Sequence, residues 1–186
     1  MTFVLETHNN ELHLKKIIIT GANGVGKSHF AAELAHARPE IPVISFDAIK
    51  LRSGWQQRTR AEIEAALKQE IAKEAWILEG GPSLLFHANG QADALVWLDP
   101  PEHVRAWQLA KRPWQYFGKT RPELPPGNVD WPWQQYRFAW RSLKKRSEFR
   151  EQISAAFRDA NGIHKWRCQN ENDRRAVIDE WAKAVI

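Results

Sequence analysis

The feature that most restricts this chain is an apolar run that empties into a glycine-rich turn and closes on Lys-Ser. Residues 16–28 read Lys-Ile-Ile-Ile-Thr-Gly-Ala-Asn-Gly-Val-Gly-Lys-Ser. Gly21, Gly26, Lys27 and Ser28 hold the fixed positions of a phosphate-binding loop, G-x-x-x-x-G-K-[ST], with Ala22, Asn23, Gly24 and Val25 between them. Glycines let the backbone curl until successive N–H groups point into one hollow. A helix that starts there adds its free N–H groups and the positive end of its dipole. Lys27 then reaches the β- and γ-phosphates of a nucleotide, and the Ser28 hydroxyl binds Mg²⁺. The loop works only between a buried strand and a helix. Ile17 to Ile19 supply the first, and Phe30, Ala31, Leu34 and Ala35 mark the inner face of the second.

The rest of the chain repeats that alternation. Strands are expected at 15–20, 43–46, 75–78, 94–99 and 164–168, and helices at 27–37, 59–74, from Pro100 to Arg112, 133–157 and from Asp173. Thr59 and Glu62 form a capping-box pattern. This predicts an α/β, three-layer P-loop NTPase fold with a parallel sheet of about five strands, covered on both faces, as one domain over residues 1–186. Residues 1–14 read as a short arm or edge element. Between Pro113 and Asp130, a stretch with Gly118, Gly127, three prolines, Lys119 and Arg121 reads as a hinged lid.

Acidic residues at strand ends are the natural partners of bound phosphate and metal, because open α/β sheets bind ligands beyond their carboxyl edges. Asp47 follows the second strand, Glu79 the third and Asp99 the fourth. Asp47 is a candidate for facing the bound phosphates, with a helix N-cap as its structural alternative. Asp99 ends a Walker B-like strand. Glu79 is preferred as the metal-side acid, because the third strand is expected beside the loop strand. Glu79-Gly80-Gly81 also suits a backbone that a substrate approaches closely.

Composition narrows the partners. The single cysteine, Cys168, excludes an internal disulfide and suits a reducing cytoplasm. No apolar run approaches a membrane span, and Met1 to Leu14 lacks the apolar core of a signal peptide. The net charge is +5, but His103 to Arg150 carries eleven Lys/Arg against three Asp/Glu. That segment suits arginines over phosphoryl groups or, less favoured, a nucleic-acid face. Lys144-Lys145-Arg146 reads as a solvated helix face. Most of the ten tryptophans are expected in the core or between helices.

With these pieces in place, the chain resembles the adenylate-kinase-like small P-loop kinases and, more narrowly, the proteins labelled DNA topology modulation protein. The matching residues are Gly21 to Ser28, Phe46-Asp47, Ser53-Gly54-Trp55, Trp76 to Gly80, Ala92-Asp93, Leu98-Asp99-Pro100, Lys111-Arg112 and Gly118 to Glu123. The chain departs from that pattern at Glu79, Gln108 and Gly81, where the family usually has Asp, Arg and Asn. Arg105 lies nearly one turn before Gln108. The resemblance implies an ATP- and Mg²⁺-dependent kinase for a small hydroxyl or phosphate acceptor, such as a nucleoside or nucleotide. In that reading Lys27, Asp47, Arg112 and Arg121 are catalytic, and Ser28 and Glu79 serve the metal. The alternative is a nucleic-acid-associated ATP-binding regulator.

Overall fold

The computed structural model describes residues 13–115, 117–122 and 124–184; most of the expected N-terminal arm lies outside them. Five strands form one parallel sheet: β1 (Lys16–Gly21), β2 (Val43–Ser45), β3 (Trp76–Gly80), β4 (Ala94–Leu98) and β5 (His164–Cys168), in the spatial order β2-β3-β1-β4-β5. Each strand connects to the next through helical chain, as parallel neighbours require. Eight α-helices occur among the described residues: α1 (Lys27–Ala37), α2 (Phe46–Lys50), α3 (Arg60–Ile71), α4 (Leu85–Ala88), α5 (Glu102–Gln115), α6 (Pro132–Lys144), α7 (Arg146–Asp159) and α8 (Glu171–Lys183).

The side-chain alternation of the strands sorts the core into two layers. Ile18, Leu78, Leu95 and Trp97 pack on one face of the sheet with Phe46, Leu67, Ile71 and Ile153. Ile17, Ile19, Ile77 and Val96 pack on the other with Phe30, Leu34, Val177 and Trp181. Both faces are covered, so the strands read as continuous apolar runs. From β1 the chain crosses to β2 at the edge, returns to β3 beside β1, and then passes to β4 on the other side of β1. Such a reversal of direction puts the ligand crevice at the carboxyl ends of these strands.

Several local expectations need correction. Asp47 is not at a strand end but in the first turn of α2, whose N-cap is Ser45. The helix expected to stop at Arg112-Pro113 runs on to Gln115. The stretch 133–157 is two helices, broken at Lys145 (φ −90°, ψ 14°). No proline or glycine marks that break: α6 packs on α5, whereas α7 packs on β1 and β4. The N-cap of α8 is Asn170, and Asp173 is its capping-box partner. The Thr59–Glu62 box forms as expected.

The tryptophans are the largest surprise. Trp76 and Trp181 are wholly buried, but Trp107, Trp114, Trp131, Trp133 and Trp140 are exposed. Helix α6 buries Gln135, Ala139 and Ser142, whereas Tyr136 and Trp140, one position on and about 100° around the helix, are exposed. Arg105 of α5 uses this face of α6, donating to Ser142, and the bulky rings of α6 turn outward. On α5 the inner face is likewise Arg105, Leu109 and Pro113, not Trp107.

Candidate active site

The glycine-rich turn leaves β1 and enters α1 as expected. Gly24 and Gly26 adopt left-handed conformations (φ 85° and 86°), which glycine takes without steric cost. A Cβ on Gly24 would also lie 2.5 Å from Leu109 Cγ, so the loop is pressed against α5. Gly26 caps α1, whose first turn carries no acidic side chain to oppose an anion. The Lys27 ammonium folds back over the loop and donates to Gly21 O (3.2 Å) and Ala22 O (3.1 Å).

A cavity of about 360 Å³ lies against this loop. Asn23, Gly24, Gly26, Lys27, Ser28, Asp47, Glu79, Arg112 and Arg121 all line it, from five different parts of the chain. Gly21, Ala22 and Val25 shape the loop without lining this cavity. Burial pushes the Lys27 ammonium below its usual range, opposed by the Glu79 and Asp47 carboxylates. Burial pushes the Asp47 carboxyl up, but its ion pair with Lys50 (2.6 Å), together with Lys27 and Arg121, holds it below the ordinary range. Asp47 is therefore ionised at neutral pH, with its side chain half-exposed on the cavity wall.

Two acids are candidates for the metal side. Glu79 lies on β3 between Ile19 of β1 and Ser45 of β2, and is nearly inaccessible outside the cavity. Asp99 faces elsewhere. Its carboxylate pairs with Arg150 of α7 and Arg167 of β5, so it fastens the sheet's far side. The acid of the Walker B-like pattern is thus engaged by two arginines and does not line the loop cavity.

Arg105 is not a substitute for the absent cation at 108. It is 1% exposed and fully used in structure. It donates to Asn23 O (3.0 Å), to Ser142 O and Oγ (3.0 and 2.8 Å) and to Glu102 (2.9 Å). Gln108 itself lines the cavity, as do Gln115, His29 and Arg174. Arg174, from α8, pairs with Glu33 (3.0 Å), and its guanidinium lies over the Phe30 ring. No sequence pattern placed this cation at the loop, because it lies 141 residues beyond its partner Glu33 and arrives through the packing of α8 on α1. Gly80 is closely approached, but by Phe46 Cβ (2.9 Å from a Cβ placed there) rather than by open space for a substrate.

Two further cavities adjoin the first. One, of about 350 Å³, lies between Pro100-Pro101, Val104 and the β5–α8 turn, and shares Gln108 and Arg174 with the loop cavity. The other, of about 380 Å³, includes Lys50, Trp55, Leu124 and Phe138, and shares Asn23, Asp47, Arg112 and Arg121. Cys168 borders the first of these. Burial pushes its thiol up to about 12, so it is an inert wall residue.

No family model matches the chain, and no curated protein matches it in sequence. Its fold is shared by solved kinases. Shikimate kinase from Bacteroides thetaiotaomicron superposes with a TM-score of 0.50 at 18% identity, over 89% of this chain and 95% of that one. Shikimate kinase from Aquifex aeolicus gives 0.51 at 16%, over 88% and 92%. A sugar kinase from Janibacter gives 0.51 at 11%, over 93% and 99%. The chain therefore has the fold of the small P-loop kinases. At these identities the likeness speaks for the fold alone.

Proposed function

We propose that the protein is an ATP-dependent kinase that transfers the γ-phosphoryl group to a small hydroxyl or phosphate acceptor, such as a nucleoside or nucleotide. The observation that carries this reading is the meeting of two cavities at one wall. The cavity on the phosphate-binding loop and the cavity beneath Trp55 share Asp47, Arg112 and Arg121. A phosphoryl group leaving one and entering the other would pass these side chains. Two cations there would offset charge on the transferring group, and a carboxylate would orient the acceptor hydroxyl. Phosphoryl transfer asks a protein for positioning and positive charge more than for covalent chemistry.

The remaining residues take consistent parts. Lys27 holds the phosphates, and its ammonium is already kept over the loop by two carbonyls. The adjoining cavity at Pro100-Pro101 shares Gln108 and Arg174 with the loop cavity, and its apolar walls suit a nucleotide base. Ser28 and Glu79 offer hard oxygen donors, and among the described residues no three His, Cys, Asp or Glu gather into a cage. That donor set fits Mg²⁺, which is usually held by one or two protein oxygens together with substrate phosphates. When bound there, Mg²⁺ would neutralise charge on the phosphates. The lid assignment for 113–130 follows from the same site: Arg121 and Leu124 bring that segment to the acceptor cavity. A closed lid would exclude water and limit wasteful hydrolysis. The narrower resemblance to DNA topology modulation proteins rests on the sequence motifs alone.

The test is ADP formation from ATP·Mg²⁺ across a panel of nucleosides, nucleotides and hydroxy acids, with Lys27→Ala as control. Stimulation by one acceptor, lost in the variant, is expected. Tight ATP binding with no stimulation by any acceptor, or transfer retained in Lys27→Ala, would overturn the assignment.

A further inference from the structure

Trp55 is the only non-glycine residue with a positive φ (61°) among the described residues. A bulky side chain in that region is a strained choice, kept only where the surroundings over-determine it, and such residues gather at ligand sites. Here the surroundings are the far end of the lid segment. Asn128 is wholly buried. Its Oδ1 accepts from the Trp55 backbone N–H, and its Nδ2 donates to Arg52 O (3.0 Å) and to Pro125 O (3.0 Å). The Trp55 indole Nε1 donates to Val129 O (3.1 Å). One amide thus joins the turn at 52–55 to the segment 125–129, more than seventy residues away.

The same segment carries the cation that touches both cavities. Arg121 pairs with the wholly buried Asp130 (2.9 Å), which Gln135 Nε2 holds from α6 (2.6 Å). The Arg121 guanidinium lies 5.8 Å from the Trp55 ring centroid. Trp55 itself forms part of the wall of the cavity assigned to the acceptor. We infer that Asn128 is a positioning residue: it ties the Trp55 turn to the lid segment, so that nucleotide-driven movement of Arg121 also sets the wall of the acceptor cavity. A nucleotide on the phosphate loop would thereby organise the neighbouring site before an acceptor enters it.

The inference rests on the kinase reading, and one experiment separates the two. Amide hydrogen exchange is followed on the full chain with and without AMP-PNP·Mg²⁺, in wild type, Asn128→Ala and Trp55→Phe. In wild type the nucleotide analogue should slow residues 21–28, the lid amides and the Trp55 amide together. In Asn128→Ala the Trp55 amide should exchange about tenfold faster, as expected for a lost hydrogen-bond partner. It should no longer respond to the analogue, while residues 21–28 still do and the analogue's Kd stays within about twofold. Trp55→Phe keeps the backbone bond to Asn128 and should keep the coupling. A wild-type protein whose residues 21–28 and lid respond while Trp55 does not would overturn the inference but spare the kinase reading. Failure of residues 21–28 to respond would remove the kinase reading. Independent opening of Trp55 and the lid in the free protein would overturn the inference on its own, even if Asn128→Ala did not fold.

Discussion

Replacing Arg105 by alanine should destabilise the protein by about 3–4 kcal/mol, the sum of a few partial losses. The guanidinium donates to Asn23 O, Ser142 O and Ser142 Oγ at a site with 1% exposure. Each such buried bond contributes about 1 kcal/mol net, and the acceptors left behind would lose their partners. The Glu102 partner is 43% exposed, so that pair adds at most about 1 kcal/mol. For a domain of this size the melting temperature should fall by roughly 6–16 °C, at about 2–4 °C per kcal/mol. Urea denaturation should show a lower midpoint with an unchanged slope. Arg105→Lys should recover little, because an ammonium cannot reproduce the guanidinium fork toward Asn23 on one side and Ser142 on the other. Gln108→Ala should do the reverse: weaker nucleotide binding at nearly unchanged stability. If Arg105→Ala cost under 1 kcal/mol but abolished nucleotide binding, the assignment of Arg105 as a clamp between the loop, α5 and α6 would be wrong.

Three other outcomes follow from the site. Gly24→Ala forces a side chain into a φ of 85° and sets its Cβ 2.5 Å from Leu109 Cγ; a loss of about 2 kcal/mol or more in stability, with weaker binding of a fluorescent ATP analogue, is expected by titration and melting. The Asp47 carboxyl is held below its ordinary range in the folded state, so its contribution to stability is complete above the unfolded value and disappears as pH falls through the lower, folded one; a pH–rate profile with an acid limb near neutrality that vanished in Asp47→Asn would contradict this. Cys168, with its thiol pushed to about 12, should resist iodoacetamide at pH 8 in the folded state and react once urea unfolds the chain; rapid labelling of the native protein would show that β5 opens.

The sequence alone determined the phosphate-binding loop, the five-strand parallel sheet and the positions of most helices. These rest on local signals: apolar strand runs buried on both faces, glycines at left-handed turns, and the Thr59–Glu62 cap. It also pointed to Asp47, Glu79, Arg112 and Arg121, which the fold brings to one cavity. Only the tertiary structure decided which acids and arginines face that cavity. Asp99 and Arg105 carry equally good local patterns, yet one fastens β4 to α7 and β5 and the other clamps the loop to α6. Arg174 and Asn128 had no local mark, because each acts on residues more than seventy positions away. The register of α6 was lost for a related reason. Its tryptophans suggested a buried face, but the inner face is set by polar partners, Arg105 on Ser142 and Asp130 on Gln135, which leaves the large rings in water. Periodicity reports that a helix has two faces; the partner helix chooses which one is inside.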